Sequence, residues 1–196
     1  MLKRLVDIAA SAAGLVLLGP LFGLMGLAVL VLCGRPVFFR QVRVGRGFRP
    51  FRMYKFRTMV PNHSGRPITA PGDGRVTRAG KILRAAKLDE LPQLWNVLKG
   101  DMSLVGPRPE VPEYVELFRE RYRRILTVRP GITDLASVRF RDEEKDLARS
   151  QDPLRAYAEE ILPAKLDLAE EYLERRSLLL DLSILLRTVQ ATLRIS

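Results

Sequence analysis

Between Asp7 and Arg35 the chain carries no charged residue, and the 27 positions from Ile8 to Gly34 are apolar or small almost throughout. As a helix rising about 1.5 Å per residue this stretch is roughly 40 Å long, more than the roughly 30 Å hydrocarbon core of a bilayer. It also exceeds the apolar region of a cleaved signal peptide, which runs about 7 to 15 residues and ends at a small-x-small site. Gly19-Pro20 stands near its middle, and a mid-helix proline removes a hydrogen bond, clashes with the carbonyl four residues back and bends the helix. Lys3 and Arg4 precede the stretch, and Arg35, Arg40 and Arg43 follow it. The positive-inside rule therefore asks for both ends on the same side. A helix broken at Pro20 that enters and leaves by one leaflet, with Asp7 at the interface, meets that demand; a kinked spanning helix is the alternative. The expected organisation is a re-entrant membrane helix over residues 1–34 and a cytosolic domain over residues 35–196.

The remaining length suits a single domain with its own core. The formal net charge is +11, and its distribution says more than its total. Residues 35–87 hold 14 Lys and Arg against the single acid Asp73, whereas residues 88–196 hold 17 basic and 20 acidic residues. A basic block placed directly after an apolar segment points to an anionic membrane face, an anionic substrate, or both. Nucleic acid is the competing partner, because Phe38, Phe39, Phe48, Phe51, Tyr54 and Phe56 interleave with arginines as in a stacking platform. With one Cys and one His, disulfide frameworks, zinc clusters and histidine-based triads lack material. Chemistry falls to carboxylates, Lys, Arg, hydroxyls or the backbone.

The pattern after Pro36 predicts an α+β chain, mainly helical. Val37 to Val44 and Phe48 to Met59 read as a basic β-hairpin turning at Gly45-Arg46-Gly47, and Pro61 to Gly74 reads as a loop. Helices are expected over Thr77 to Leu88, Glu113 to Leu126, Pro153 to Arg175 and Leu178 to Leu193. The last is apolar around most of its circumference, which suits either a core helix or one resting in a membrane interface.

The segment Asp89-Glu90-Leu91-Pro92-Gln93 to Gly100 predicts a helix beginning near Asp89 or Glu90, since proline is tolerated only in a first turn. Acids at a helix start cap free N–H groups and suit the dipole. Here they also stand among cations: Arg78, Lys81, Arg84 and Lys87 precede them, and Arg108 follows between two prolines. Carboxylates in such surroundings are expected to have lowered pKa values and to stay ionised, while Arg and Lys bind phosphate. No P-loop and no H-E-x-x-H motif is present.

Several ordered segments together resemble the bacterial sugar transferase family, the small monotopic phosphoglycosyl transferases. These are the Lys-Arg start with a helix broken at Pro20, Tyr54 to Met59, Asp73 to Arg84, Leu88 to Ser103, Val105 to Pro109, Arg129 to Thr133 and Ser177 to Leu182. The resemblance implies transfer of a phosphosugar from a UDP-sugar to undecaprenyl phosphate with release of UMP, at the cytoplasmic face of the bacterial inner membrane. It implies that Asp89 is the nucleophile forming an aspartyl-phosphosugar intermediate, that Glu90 assists, and that both attend Mg2+. Lys55, Arg84 and Arg108 match positions near the phosphates, and Arg141 and Asp181 match further substrate-binding positions. UDP-sugar, undecaprenyl phosphate and membrane lipids are the implied partners, a homodimer is possible, and nucleic acid is not implied. Many relatives continue Gly-Ile-Thr-Gly-Trp-Ala-Gln-Val, whereas this chain has Asp134, Leu135 and Ser137 in place of Gly, Trp and Gln. Two rivals remain: a non-enzymatic, membrane-anchored basic module, and a direct displacement in which Asp89 only binds metal.

Overall fold

The computed structural model describes residues 1–60, 74–141, 143, 147 and 150–193. The expected loop at Pro61 to Gly74 lies outside them except for Gly74. The apolar segment forms α1 (Leu2–Leu17) and α2 (Gly19–Cys33), bent by 63° at Leu18. Pro20 occupies the first turn of α2, where a missing N–H forfeits no helical bond, so the break falls just ahead of it. Among the described residues no single helix is long and apolar enough to cross a membrane; only this bent pair, taken together, has the length and composition.

The first helix is less uniformly apolar than its charge-free run suggests, because Lys3, Arg4, Asp7 and Ser11 share one face at helical spacing. That face turns inward. Asp7 is buried rather than set at an interface, accepting from Ser103 Oγ at 2.8 Å and Leu104 N at 3.1 Å. Arg4 donates to the carbonyls of Val97 and Leu98 at 2.7 and 3.0 Å. Lys3 donates to Val105 O at 3.0 Å and pairs with Asp181 at 2.6 Å. Residues 1–34 thus differ from the rest in composition while being bonded into it.

Two antiparallel strands, β1 (Phe38–Val44) and β2 (Pro50–Phe56), form the basic hairpin, in register from Phe38 opposite Phe56 to Val44 opposite Pro50. The second strand is shorter than expected at both ends. Its backbone meets Asn96, whose Oδ1 accepts from Tyr54 N at 3.1 Å and whose Nδ2 donates to Arg52 O at 2.8 Å. Asn96 belongs to α4 (Gln93–Lys99), which ends at Gly100 with φ +91°, a left-handed cap that suits glycine.

Ahead of α4 lie α3 (Arg78–Ala85) and a 3₁₀ turn over Leu88–Glu90. Thr77 caps α3 by accepting from Gly80 N at 2.9 Å. Gly80 passes the Thr58 backbone so closely that a Cβ would stand 2.0 Å from its carbonyl oxygen. A short parallel pair, β3 (Ser103–Val105) with β4 (Gly131–Thr133), has no counterpart in the expected elements. Three residues per strand carry too little pattern to be read. Gly106 and Gly131 cross so tightly there that a Cβ on Gly131 would sit 2.2 Å from Gly106 N.

The helix expected over Glu113 to Leu126 is broken at Phe118 (φ −118°, ψ 36°) into α5 (Pro112–Leu117) and α6 (Arg119–Ile125). Next comes α7 (Leu135–Arg139). The helix expected over Pro153 to Arg175 is realised as α8 (Pro153–Ala156), a π-helical stretch Tyr157–Ile161, and α9 (Leu162–Arg175). The final helix, α10 (Leu178–Leu193), has one face in the core and one outside it: Asp181 and Ile184 are buried, while Leu179, Leu182, Leu186 and Val189 are exposed. One buried cluster gathers Tyr122, Ile125, Leu126, Tyr157, Leu162 and Leu166. A second joins Met25 and Val29 of α2 to Phe56 and Leu83, with Leu88 and Leu91 packed against it. The 3₁₀ turn is therefore anchored on both flanks to the cluster built on α2.

Candidate active site

Leu88 and Leu91 face the α2 cluster, and the residues between them, Asp89 and Glu90, turn elsewhere. The turn is entered through Lys87, a non-glycine residue at φ +54°. Such a conformation costs about 1 to 2 kcal/mol, and surrounding structure must hold it. Neither carboxylate is a plain cap, for neither is hydrogen-bonded to the N–H groups of α4.

Glu90 is clamped. Its Oε1 accepts from Lys55 Nζ at 2.8 Å and from Arg108 Nη2 at 2.5 Å, and its Oε2 accepts from Arg108 Nη1 at 3.2 Å. Asn96 positions Lys55 by fixing the β2 backbone at Arg52 and Tyr54. Arg108 is held from behind: its Nη1 also donates to Ile132 O at 3.2 Å, and its backbone N–H donates to Asp134 Oδ2 at 3.0 Å. Burial by itself raises the Glu90 carboxyl, but Arg108 and Lys55 overcome it and hold the group well below the usual carboxylate range. Glu90 in turn raises Arg108, while burial lowers Lys55 despite the attraction of Glu90.

Asp89 is the opposite case. It is buried, at 6% exposure, and accepts no hydrogen bond among the described residues. Loss of hydration pushes its carboxyl above the ordinary value, and Lys55, Arg84 and Lys87 pull it down without prevailing. The expectation that the surrounding cations depress both carboxyls is met at Glu90 and reversed at Asp89. The reason is that a salt bridge compensates desolvation only where the partner makes direct contact.

Arg84 stands near Asp89, with its Nε donating to Thr58 Oγ1 at 3.1 Å. Lys55, Arg84, Asp89, Glu90 and Arg108 are thus brought together. Asp181 is joined instead to Lys3 and to the Tyr172 hydroxyl, which donates to Asp181 Oδ1 at 2.7 Å. Arg141 forms no ion pair or hydrogen bond among the described residues, and several of its neighbours lie outside them. Asn96, Thr58 and Asp134 support the site without having been singled out by sequence as part of it. Gln93, four residues beyond Asp89, is 1% exposed, and neither atom of its amide has a partner among the described residues.

No cluster of three or more His, Cys, Asp or Glu side chains suited to an ion occurs among the described residues. Magnesium is ordinarily bound by one or two carboxylates together with substrate phosphates. Asp89, whose oxygens accept no hydrogen bond among the described residues, and Glu90 Oε2 fit that donor set, but only in company with a phosphate.

One carboxylate that accepts no hydrogen bond among the described residues stands beside another locked by Lys and Arg, an arrangement suited to binding phosphate rather than to capping a helix. The family model for bacterial sugar transferases matches residues 1–195, and the chain belongs to that family. It is 41% identical to a UDP-glucose:undecaprenyl-phosphate glucose-1-phosphate transferase of Caulobacter vibrioides, over 97% of this chain and 69% of that protein. It is 40% identical to the uncharacterized sugar transferase EpsL of Bacillus subtilis, over 98% and 88%. A UDP-N-acetylgalactosamine-undecaprenyl-phosphate N-acetylgalactosaminephosphotransferase of Aeromonas hydrophila is 38% identical over 98% of this chain, which spans 44% of that relative.

Proposed function

We propose that the protein transfers a sugar-1-phosphate from a UDP-sugar to undecaprenyl phosphate, releasing UMP, and so begins the assembly of a lipid-linked glycan. The observation that carries this reading is the contrast between the two adjacent carboxylates. A poorly solvated carboxylate without hydrogen bonds is the better nucleophile. An Asp89 oxygen attacks the phosphorus that bears the sugar, forming a P–O bond as the bond to UMP breaks. The phosphate oxygen of the lipid then attacks the same phosphorus, and Asp89 is released unchanged. Lys55 and Arg108, aligned by Glu90, present cations to the phosphoryl oxygens as charge develops on them. Asp89 and Glu90 would hold Mg2+, whose positive charge stabilises the diphosphate during displacement. Splitting the reaction in two lets a soluble donor and a lipid acceptor use one site in turn.

The bent α1–α2 pair and the exposed leucines of α10 support attachment to one leaflet of the inner membrane at its cytoplasmic face, where a polyprenol phosphate can reach the site without leaving the bilayer. The test is UMP release from a panel of UDP-sugars with undecaprenyl phosphate and magnesium, on the wild type and Asp89→Asn. Turnover that requires the lipid and vanishes in the variant is expected. A labelled phosphosugar retained on the wild-type protein without lipid supports the covalent step. Failure to retain it, with turnover intact, indicates direct displacement.

A further inference from the structure

Pro107 and Pro109 have no N–H, so the amide of Arg108 is the only backbone donor in that run of three. It is spent on Asp134 Oδ2, at 3.0 Å. Asp134 is 4% exposed and its other oxygen is fully used: Oδ1 accepts from Ser137 N at 2.7 Å and from Ser137 Oγ at 2.6 Å, capping α7. The segment carrying Asp134 also touches the Arg108 loop on either side of this bond. Gly131 N donates to Pro107 O at 3.0 Å, and Ile132 O accepts from the Arg108 guanidinium. The loop is tied at successive points: Asp134 holds the Arg108 amide, and Arg43 Nη1 donates to the neighbouring carbonyl, Pro109 O, at 3.1 Å.

We propose that Asp134 is a positioning residue for the transfer reaction, setting Arg108 against Glu90 by joining the Arg108 amide to the start of α7. A capping acid needs only one oxygen for its helix. Here the second oxygen leaves the helix for the loop whose arginine enters the site. Ser137 occupies both remaining valences of the first oxygen, so the carboxylate cannot rotate without breaking the cap. Asp134 and Ser137 act as one unit with two ends, one structural and one directed at the site. This inference rests on the reading of the site as a transferase.

Two substitutions separate the ends. In Asp134→Ser the hydroxyl still caps α7 but offers no second oxygen to Arg108. In Ser137→Ala one bond of the cap is lost and the tie to Arg108 is kept. Turnover is followed as UMP release, with melting temperature measured on the same samples. Asp134→Ser is expected to lower kcat about tenfold to a hundredfold, with little change in KM for the donor, as for a lost buried hydrogen bond that matters at the transition state. Ser137→Ala is expected to stay within about threefold of wild type even where its melting temperature falls. If Asp134→Ser does not fold, Asp134→Asn, which keeps the volume and one oxygen, takes its place. Wild-type kcat in the Asp134 variant, or activity that tracks melting temperature in both variants, overturns the proposal. An inactive wild type overturns the assignment of function instead.

Discussion

Asp89 and Glu90 are neighbours in the chain and opposites in energy. Glu90 has its pKa depressed in the folded protein, so its stabilisation is present above the ordinary glutamate value of about 4.3 and is lost as pH falls toward the folded value. Asp89 has its pKa raised, so its favourable contribution exists below the ordinary aspartate value of about 3.9 and disappears as pH rises through the folded value. Above that value Asp89 is therefore a net cost to the fold. Thermal melts in magnesium-free buffer at pH 7 should show Asp89→Asn more stable than wild type. Glu90→Gln should be less stable by on the order of 3 kcal/mol, since it leaves Lys55 and Arg108 without their shared anion. Equal destabilisation by both substitutions would contradict this account. A fully active Asp89→Asn would remove the nucleophile from the proposed reaction.

At the scale of elements, side chains do much of what longer strands do in larger sheets. A lone hairpin is marginal in water, and so is a three-residue parallel pair. The hairpin is supported by the side chain of Asn96, and β3 by the carboxylate of Asp7. Asn96→Ala removes two bonds to β2 and leaves a backbone N–H and C=O to find other partners. A loss of about 2 to 3 kcal/mol follows, with the Tyr54 amide exchanging faster and Lys55 held less firmly. Hydrogen exchange resolved to that amide checks it. Unchanged protection at Tyr54 would mean that the hairpin stands without α4. The same dependence explains what was legible. The hairpin, the bend at Pro20 and the stop at Gly100 are local events with local signals. The break at Phe118 and the β3–β4 pair have none, because packing and tight glycine crossings create them.

On the scale of the whole molecule, the apolar N-terminal segment is part of the architecture that holds the site. The second helix, α2, packs on the leucines flanking Asp89 and Glu90, and α1 grips α4, β3 and α10 through Arg4, Asp7 and Lys3. Asp7→Ala should therefore lower the stability of the detergent-solubilised protein by about 2 kcal/mol, through two lost buried bonds. Association with lipid vesicles should persist, because the exposed apolar residues of α1 and α2 are untouched. Melting curves and vesicle flotation on the same preparation test both statements. Release from vesicles at unchanged stability would reverse the assignment.

Uncharged length, a central proline and basic flanks required a bent apolar helix pair from sequence alone, because each acts through the chain's own backbone and charge. Sequence also singled out Asp89 and Glu90 among Arg84 and Arg108, since carboxylates among cations are conspicuous in the order of residues, while Lys55 was reached only through the family resemblance. What it could not reveal is which carboxylate would be clamped and which left bare. That depends on whether a cation reaches direct contact, and the distances are set by Asn96 holding β2 and by Asp134 holding the Arg108 loop. Asp7, read as an interface acid, bonds Ser103, and Asp181, read as a substrate ligand, pairs with Lys3 at the far end of the chain. Hydration lost on burial, and the contacts that compensate for it, are properties of the packed structure, and they set apart two carboxylates that composition had left equal.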